Sequence, residues 1–113
     1  MPVYTPKRLA QAVLTTSSLS MYQAPGSTST IINEILLSNT SANSADATVY
    51  IVPTPGTAAG AADVNCVVPT VSIPAGTVRA IDLSQVLNAG DILAAKASAG
   101  TSITFTASGV EIV

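Results

Sequence analysis

Six carboxylates and four cations carry all the charge in this chain of 113 residues: Glu34, Asp46, Asp63, Asp82, Asp91 and Glu111 against Lys7, Arg8, Arg79 and Lys96. Carboxylates can hold a metal ion or work as an acid–base pair, so their spacing is weighed first. Asp82 and Asp91 share the stretch "IPAGTVRAIDLSQVLNAGDILAAKAS" over residues 73–98, and Asp91 follows Asn88-Ala89-Gly90. A calcium loop needs oxygen donors at regular close spacing around a turn glycine, and no D-x-D-x-D-G run is present. Asp82 therefore reads as the cap of a turn and Asp91 as its closure, with Asp46 and Asp63 as loop-edge residues. Histidine is absent, which removes the commonest general base and the commonest zinc ligand. Serine and threonine abound, yet no Ser-x-x-Lys or Gly-x-Ser-x-Gly activates one. Paired carboxylates for glycoside hydrolysis have no local motif either. "GTAAGAAD" lacks the lysine and the strand-to-helix setting of a phosphate loop. Cys66 stands alone in "VNCVVP", so it reads as a small buried hydrophobe. The expectation is a non-enzyme with no catalytic, cofactor or metal site.

Binding chemistry is narrowed the same way. A net charge of −2 offers no field for phosphate backbones, so no nucleic-acid partner is expected. No apolar run approaches the roughly 18 residues that span a bilayer. The N-terminal apolar stretch is broken by Gln11 and Thr15, which argues against a signal peptide. The aromatics are Tyr4, Tyr22, Tyr50 and Phe105, a thin set for a sugar-binding platform. Asn39-Thr40-Ser41 matches a glycosylation sequon, which matters only on a secretory route.

What must position these residues is β-structure. "TSTIINEILLSNTS" is rich in β-branched residues, and "ATVYIV" and "ITFTAS" alternate faces. "PTVSIP" and "TVRAIDL" flank the turn Pro74-Ala75-Gly76, and "DILAAKAS" with "TSITFTASGVEIV" predicts a hairpin around Ala99-Gly100. Breakers recur at Pro25-Gly26, residues 39–44, 53–60, 74–76, 88–90 and at Gly100. Short strands between frequent turns predict one antiparallel β-sandwich, jelly-roll-like, over residues 13–113. "DLSQVL" offers at most one short helical turn, capped by Asp82 or Ser84. Residues 1–12 carry two prolines and two of the four bases, and are expected to form an extended arm lying on a neighbour.

Charged residues make up 9% of the chain against about 25% in ordinary domains. A surface of Ser, Thr and Asn is cheaper to desolvate than a charged one. Too few charges remain to guard sheet edges, so the chain reads as a subunit packed against copies of itself or partners. The arm residues Tyr4, Lys7 and Arg8, with Pro55 and Asp63 in the loop-like "PTPGTAAGAADVN", are the candidate partner-binding positions.

Several pieces also carry a resemblance: the "LLSN" segment, "IPAGT", "LNAGDILAAKAS" and the terminal "SGVE". In this order they resemble small virion structural proteins of tailed bacteriophages, single β-sandwich domains from virion gene clusters. The resemblance implies a non-enzymatic subunit repeated around a symmetric particle. One placement is a capsid decoration (cement) protein, a homotrimer on the head surface bound to the major capsid protein. The other is a tail, neck or fibre component with receptor or carbohydrate binding. The single compact module without a coiled-coil stalk favours the head surface.

Overall fold

The computed structural model describes residues 2–57 and 60–113, apart from the side chain of Asp63. Eight strands follow the apolar alternation: β1 (Tyr4–Val13), β2 (Leu19–Gln23), β3 (Ser29–Asn39), β4 (Ala45–Val52), β5 (Cys66–Ile73), β6 (Val78–Leu87), β7 (Ile92–Ala97) and β8 (Ile103–Ile112). They form two antiparallel sheets, ordered β1-β8-β3-β6 and β2-β7-β4-β5. The expected all-β sandwich is what the chain forms.

The pairing is nested. β1 pairs with β8, β2 with β7, β3 with β6 and β4 with β5. The two sheets are completed by β3–β8 and β4–β7. A long four-rung hairpin rolled into a sandwich has this order, which is the jelly roll. Only β4 and β5 are both consecutive and paired. β7 and β8 lie in different sheets, so the hairpin expected around Gly100 is replaced by a connection between sheets. Short-range turn signals are the same in both cases, and only the long-range pairing separates them.

Inward residues alternate along every strand and meet between the sheets. Ile35, Leu37, Phe105, Ile103, Leu87 and Thr30 come from one sheet, and Val49, Leu93, Ala95 and Ile73 from the other. The alanines of β4 and β7 let the sheets approach closely under the larger side chains opposite. A second, smaller cluster of Tyr50, Val52, Ile92 and Ala94 lies on the outward side of β4 and β7, with Ala61 and Cys66 against it. The β4–β5 connection therefore folds back and shields that sheet's outer surface.

Two local expectations are corrected. "DLSQVL" is not a helical turn but the second half of β6, and the helical turn among the described residues is a 3₁₀ turn at Asp63–Asn65. β6 keeps period two, with Val78, Ala80, Asp82 and Val86 outward, but Leu83, Val86 and Leu87 also fall at the i, i+3, i+4 spacing of a helix. The N-terminal segment is extended as expected, but it is hydrogen-bonded into the sheet from Tyr4 to Val13 beside β8. Its basic and proline residues belong to an edge strand, so the 12/13 boundary falls inside β1.

Candidate assembly surface

Register places side chains on the faces of the β1-β8-β3-β6 sheet. Because Ile103, Phe105 and Ala107 point into the core, Thr104, Thr106, Ser108, Val110 and Ile112 point outward from β8. Their neighbours in register make five outward rows. Tyr4 stands beside Ile112; Pro6, Val110, Ile31 and Val86 make the second row; Arg8, Ser108, Glu34 and Asp82 the third. Gln11, Thr106, Leu36 and Ala80 follow, and then Val13, Thr104, Ser38 and Val78. The second row is apolar, the fourth and fifth mix apolar residues with Gln11, Thr106, Thr104 and Ser38, and the members on the outer strands are open to water. Tyr4 is 63% exposed, Val78 61%, Val86 54% and Val13 50%. Charge is confined to the middle row.

This face stays in one sheet because bulges fall at adjacent levels. Leu9 is the extra residue of β1, against Ala107–Ser108 of β8, and Asn33 that of β3, against Ser108–Gly109. Neighbouring bulges coil the sheet and restore the outward alternation beyond the middle row. Three of the four edges are better guarded than the low charge content led us to expect. β1 carries Pro6, Lys7 and Arg8, β6 carries Arg79 and Asp82, and β5 carries Pro69 at an irregularity of its pairing with β4. The fourth, β2, has neither charge nor proline but is short and irregular between Ser20 and Tyr22.

The candidate partner residues scatter. Tyr4 and Arg8 share the outward face of β1. Lys7 lies on the opposite face and pairs with Glu111, its Nζ 3.2 Å from Oε1. Pro55 is exposed in the β4–β5 connection after a cis peptide bond. Asp63 begins the 3₁₀ turn of the same connection, and its side chain lies outside the described residues. Ile31, Val86, Val110 and Ile112 were not singled out, because an apolar residue in a strand points to core or solvent only once its neighbours are known.

Glu111 is the hub of a polar clasp between the sheets. The Tyr22 hydroxyl donates to its carboxylate, the Thr30 hydroxyl lies 2.9 Å from the same phenol, and Lys7 closes the set. The Tyr22 hydrogen bond, aided by Lys7, holds the Glu111 carboxyl below the usual 4.5, although burial works against it. Burial, then Glu111 itself, pushes the Tyr22 phenol up to about 12. A carboxyl with a lowered folded-state pKa stabilises the fold above its unfolded value and loses that contribution as pH falls through the folded one. Melting temperature should accordingly drop below pH 4.5. Glu111→Gln should lower it at neutral pH while converging on the native protein in acid; parallel pH curves would count against this assignment.

The two aspartates of residues 73–98 are architectural and separate. Asp91 is buried, and its carboxylate accepts the backbone N–H groups of Thr54 at 3.1 Å and Asn88 at 2.9 Å. Its own carbonyl accepts from Ala24, so one residue ties three loops together. Asp82 is exposed on β6. Among the described residues, no three acids or cysteines gather closely enough to hold a metal.

The other sheet has a polar depression of about 270 Å³ lined by Thr16, Asp46, Thr48, Thr70, Lys96 and Ser98. Its groups largely satisfy one another. The Thr48 and Thr70 hydroxyls bond at 3.1 Å, Ser98 accepts the Asp46 N–H, and the Lys96 ammonium lies 5.9 Å from the Tyr50 ring centroid. Tyr50 and Phe105 are buried, so neither offers a sugar platform. The Asn39 sequon amide is wholly engaged in hydrogen bonds inside the fold.

No family model and no curated protein matches the sequence. Solved structures do. A chain of the T13 infectious bursal disease virus particle aligns with a TM-score of 0.54 at 12% identity over 98% of this chain. Chains from the Gx and Gt strains of that virus align over 98% of this chain, with TM-scores of 0.45 and 0.39 at 18% and 14% identity. This is a likeness of fold. The chain spans only 30–31% of the length of those virus chains.

Proposed function

We propose that this chain is a non-enzymatic structural subunit of a virion, and within that class a capsid decoration (cement) protein of a tailed bacteriophage. It would bind the head shell as an oligomer of its own copies and stabilise it. The observation that carries the reading is the outward face of the β1-β8-β3-β6 sheet, which exposes Tyr4, Val13, Val78 and Val86 and confines charge to its middle row. A free domain gains nothing from a sheet face with so little charge, whereas an assembled one buries it. The jelly roll supports the class, because shells are commonly built from it. Tyr4 and Arg8 belong to the contact face, and Pro55 with Asp63 to a second contact through the β4–β5 loop.

The test is binding to particles. Purified protein mixed with heads that lack it should co-sediment to a fixed saturation and raise the temperature at which the heads rupture. Saturable binding to tails alone would move the subunit to the tail or neck. The polar depression on the other sheet favours a receptor-binding form of that alternative, and a glycan array reads it directly.

A further inference from the structure

We infer that the outward face of the β1-β8-β3-β6 sheet pairs with the same face of a second copy, about a two-fold axis running along the strands. This rests on the assembly reading and names its partner. A rotation about that axis keeps each row opposite itself while exchanging the sheet's edges. β1 then meets β6 of the partner copy, and β8 meets β3.

The residues complement one another under that operation. Pro6 faces Val86 and Val110 faces Ile31 in the second row, while Val13 faces Val78 and Thr104 faces Ser38 in the last. In the middle row Arg8 faces Asp82 and Ser108 faces Glu34, each contact made twice. Within one chain Glu34 and Asp82 are direct cross-strand neighbours, an arrangement of like charges that costs stability. Among the described residues neither has an ion-pair partner in its own chain. The second copy's Arg8 supplies the missing cation.

The competing two-fold axis, across the strands, sets Arg8 against Arg8, Glu34 against Glu34 and Asp82 against Asp82. Charge therefore selects the first axis. Sheets stacked this way keep their strands roughly aligned, crossing at about 30°. The face runs from Tyr4 to Val13 across four strands, roughly 30 Å by 19 Å on strand geometry. Both copies together bury about 1,100 Å², above the roughly 1,000 Å² that a specific interface should clear and at the small end of the range.

Sedimentation velocity and native mass spectrometry on the full chain test the pairing by charge exchange. The native protein should be a dimer. Arg8→Asp alone and Asp82→Arg alone should each weaken it roughly tenfold or more, because each places like charges together twice. An equimolar mixture of the two variants should recover a heterodimer of native affinity, since both contacts are again opposite in sign. Recovery in the mixture also shows that both variants fold. Single variants that dimerise like the native chain, or a mixture that does not recover, would overturn the pairing. A native trimer that binds heads would overturn the two-fold axis while supporting the assembly reading, and a monomer that binds no particle would overturn both.

Discussion

Gly109→Ala should cost about 3 kcal/mol or more, lowering the melting temperature by roughly 10–20 °C or abolishing soluble expression. A Cβ at this position would lie 2.0 Å from the Ile31 carbonyl oxygen, 3.1 Å from that carbonyl carbon and 3.1 Å from Leu9 Cδ1. The first two atoms are backbone of β3, the central neighbour of β8, so no side-chain rotation relieves the clash. β3 and β8 must separate beside the bulge of β3, and the strands flanking them are displaced with them. Gly26→Ala is the matched control. Nothing lies within 4 Å of a Cβ there, so stability should stay within about 0.5 kcal/mol. Equal thermal melts for the two variants would refute the close-approach account.

Asn39→Ala should cost about 2–3 kcal/mol, because it strands the buried carbonyl of Ile73 and frees the partly buried Ser41 and Asn43 groups that the amide ties down. The Asn39 amide nitrogen donates to the carbonyls of Asn43 at 2.9 Å and Ile73 at 2.8 Å. Its oxygen accepts from the Ser41 N–H at 2.9 Å and the Ser41 hydroxyl at 2.8 Å. The Asn39 backbone meanwhile bonds Thr77 and Gly76, so this residue fastens the β3–β4 loop to the β5–β6 turn. Asn39→Asp is the sharper variant. It keeps the shape but turns a carboxylate oxygen toward two carbonyls, so it should be as damaging as Ala at neutral pH. Protonation restores a donor; burial raises the carboxyl's pKa, and stability should recover as pH falls. Denaturant titrations at neutral and acidic pH check both signs.

Particular residues show what could be read in advance. Ile103, Phe105 and Ala107 alternate with threonine and serine, so β8 and its buried face were legible from its letters. "IPAGT" was legible as a turn, and Gly76 holds a φ of 69° there as the Thr77 N–H bonds Pro74. β6 was misread because Leu83, Val86 and Leu87 fit a helical spacing as well as a strand, and Asp82 followed by Ser84 looks like a helix cap when the strand partner is unknown. The N-terminal segment was misread because proline and adjacent bases mark both solvated arms and guarded edge strands. The contact face was legible in part: Tyr4 and Arg8 stand out by type. Ile31 and Val110 do not, since a run such as "STIINEILL" carries apolar residues on both faces of its strand. Which face meets water is settled by strands distant in sequence.

The nested pairing has a consequence in time. Tyr4 is matched with Ile112, so β1 has no partner strand of its own until residue 112 has been synthesised. β8 lies between β1 and β3 and is the last of the eight strands to emerge, leaving that sheet open along its middle until then. Only β4 and β5 can pair early, and closure then propagates outward from them rung by rung. Contacts this distant in sequence make for slow folding, with bare strand edges held near neighbouring chains meanwhile. Prolines and paired charges on the outer strands are as useful to the nascent chain as to the folded domain.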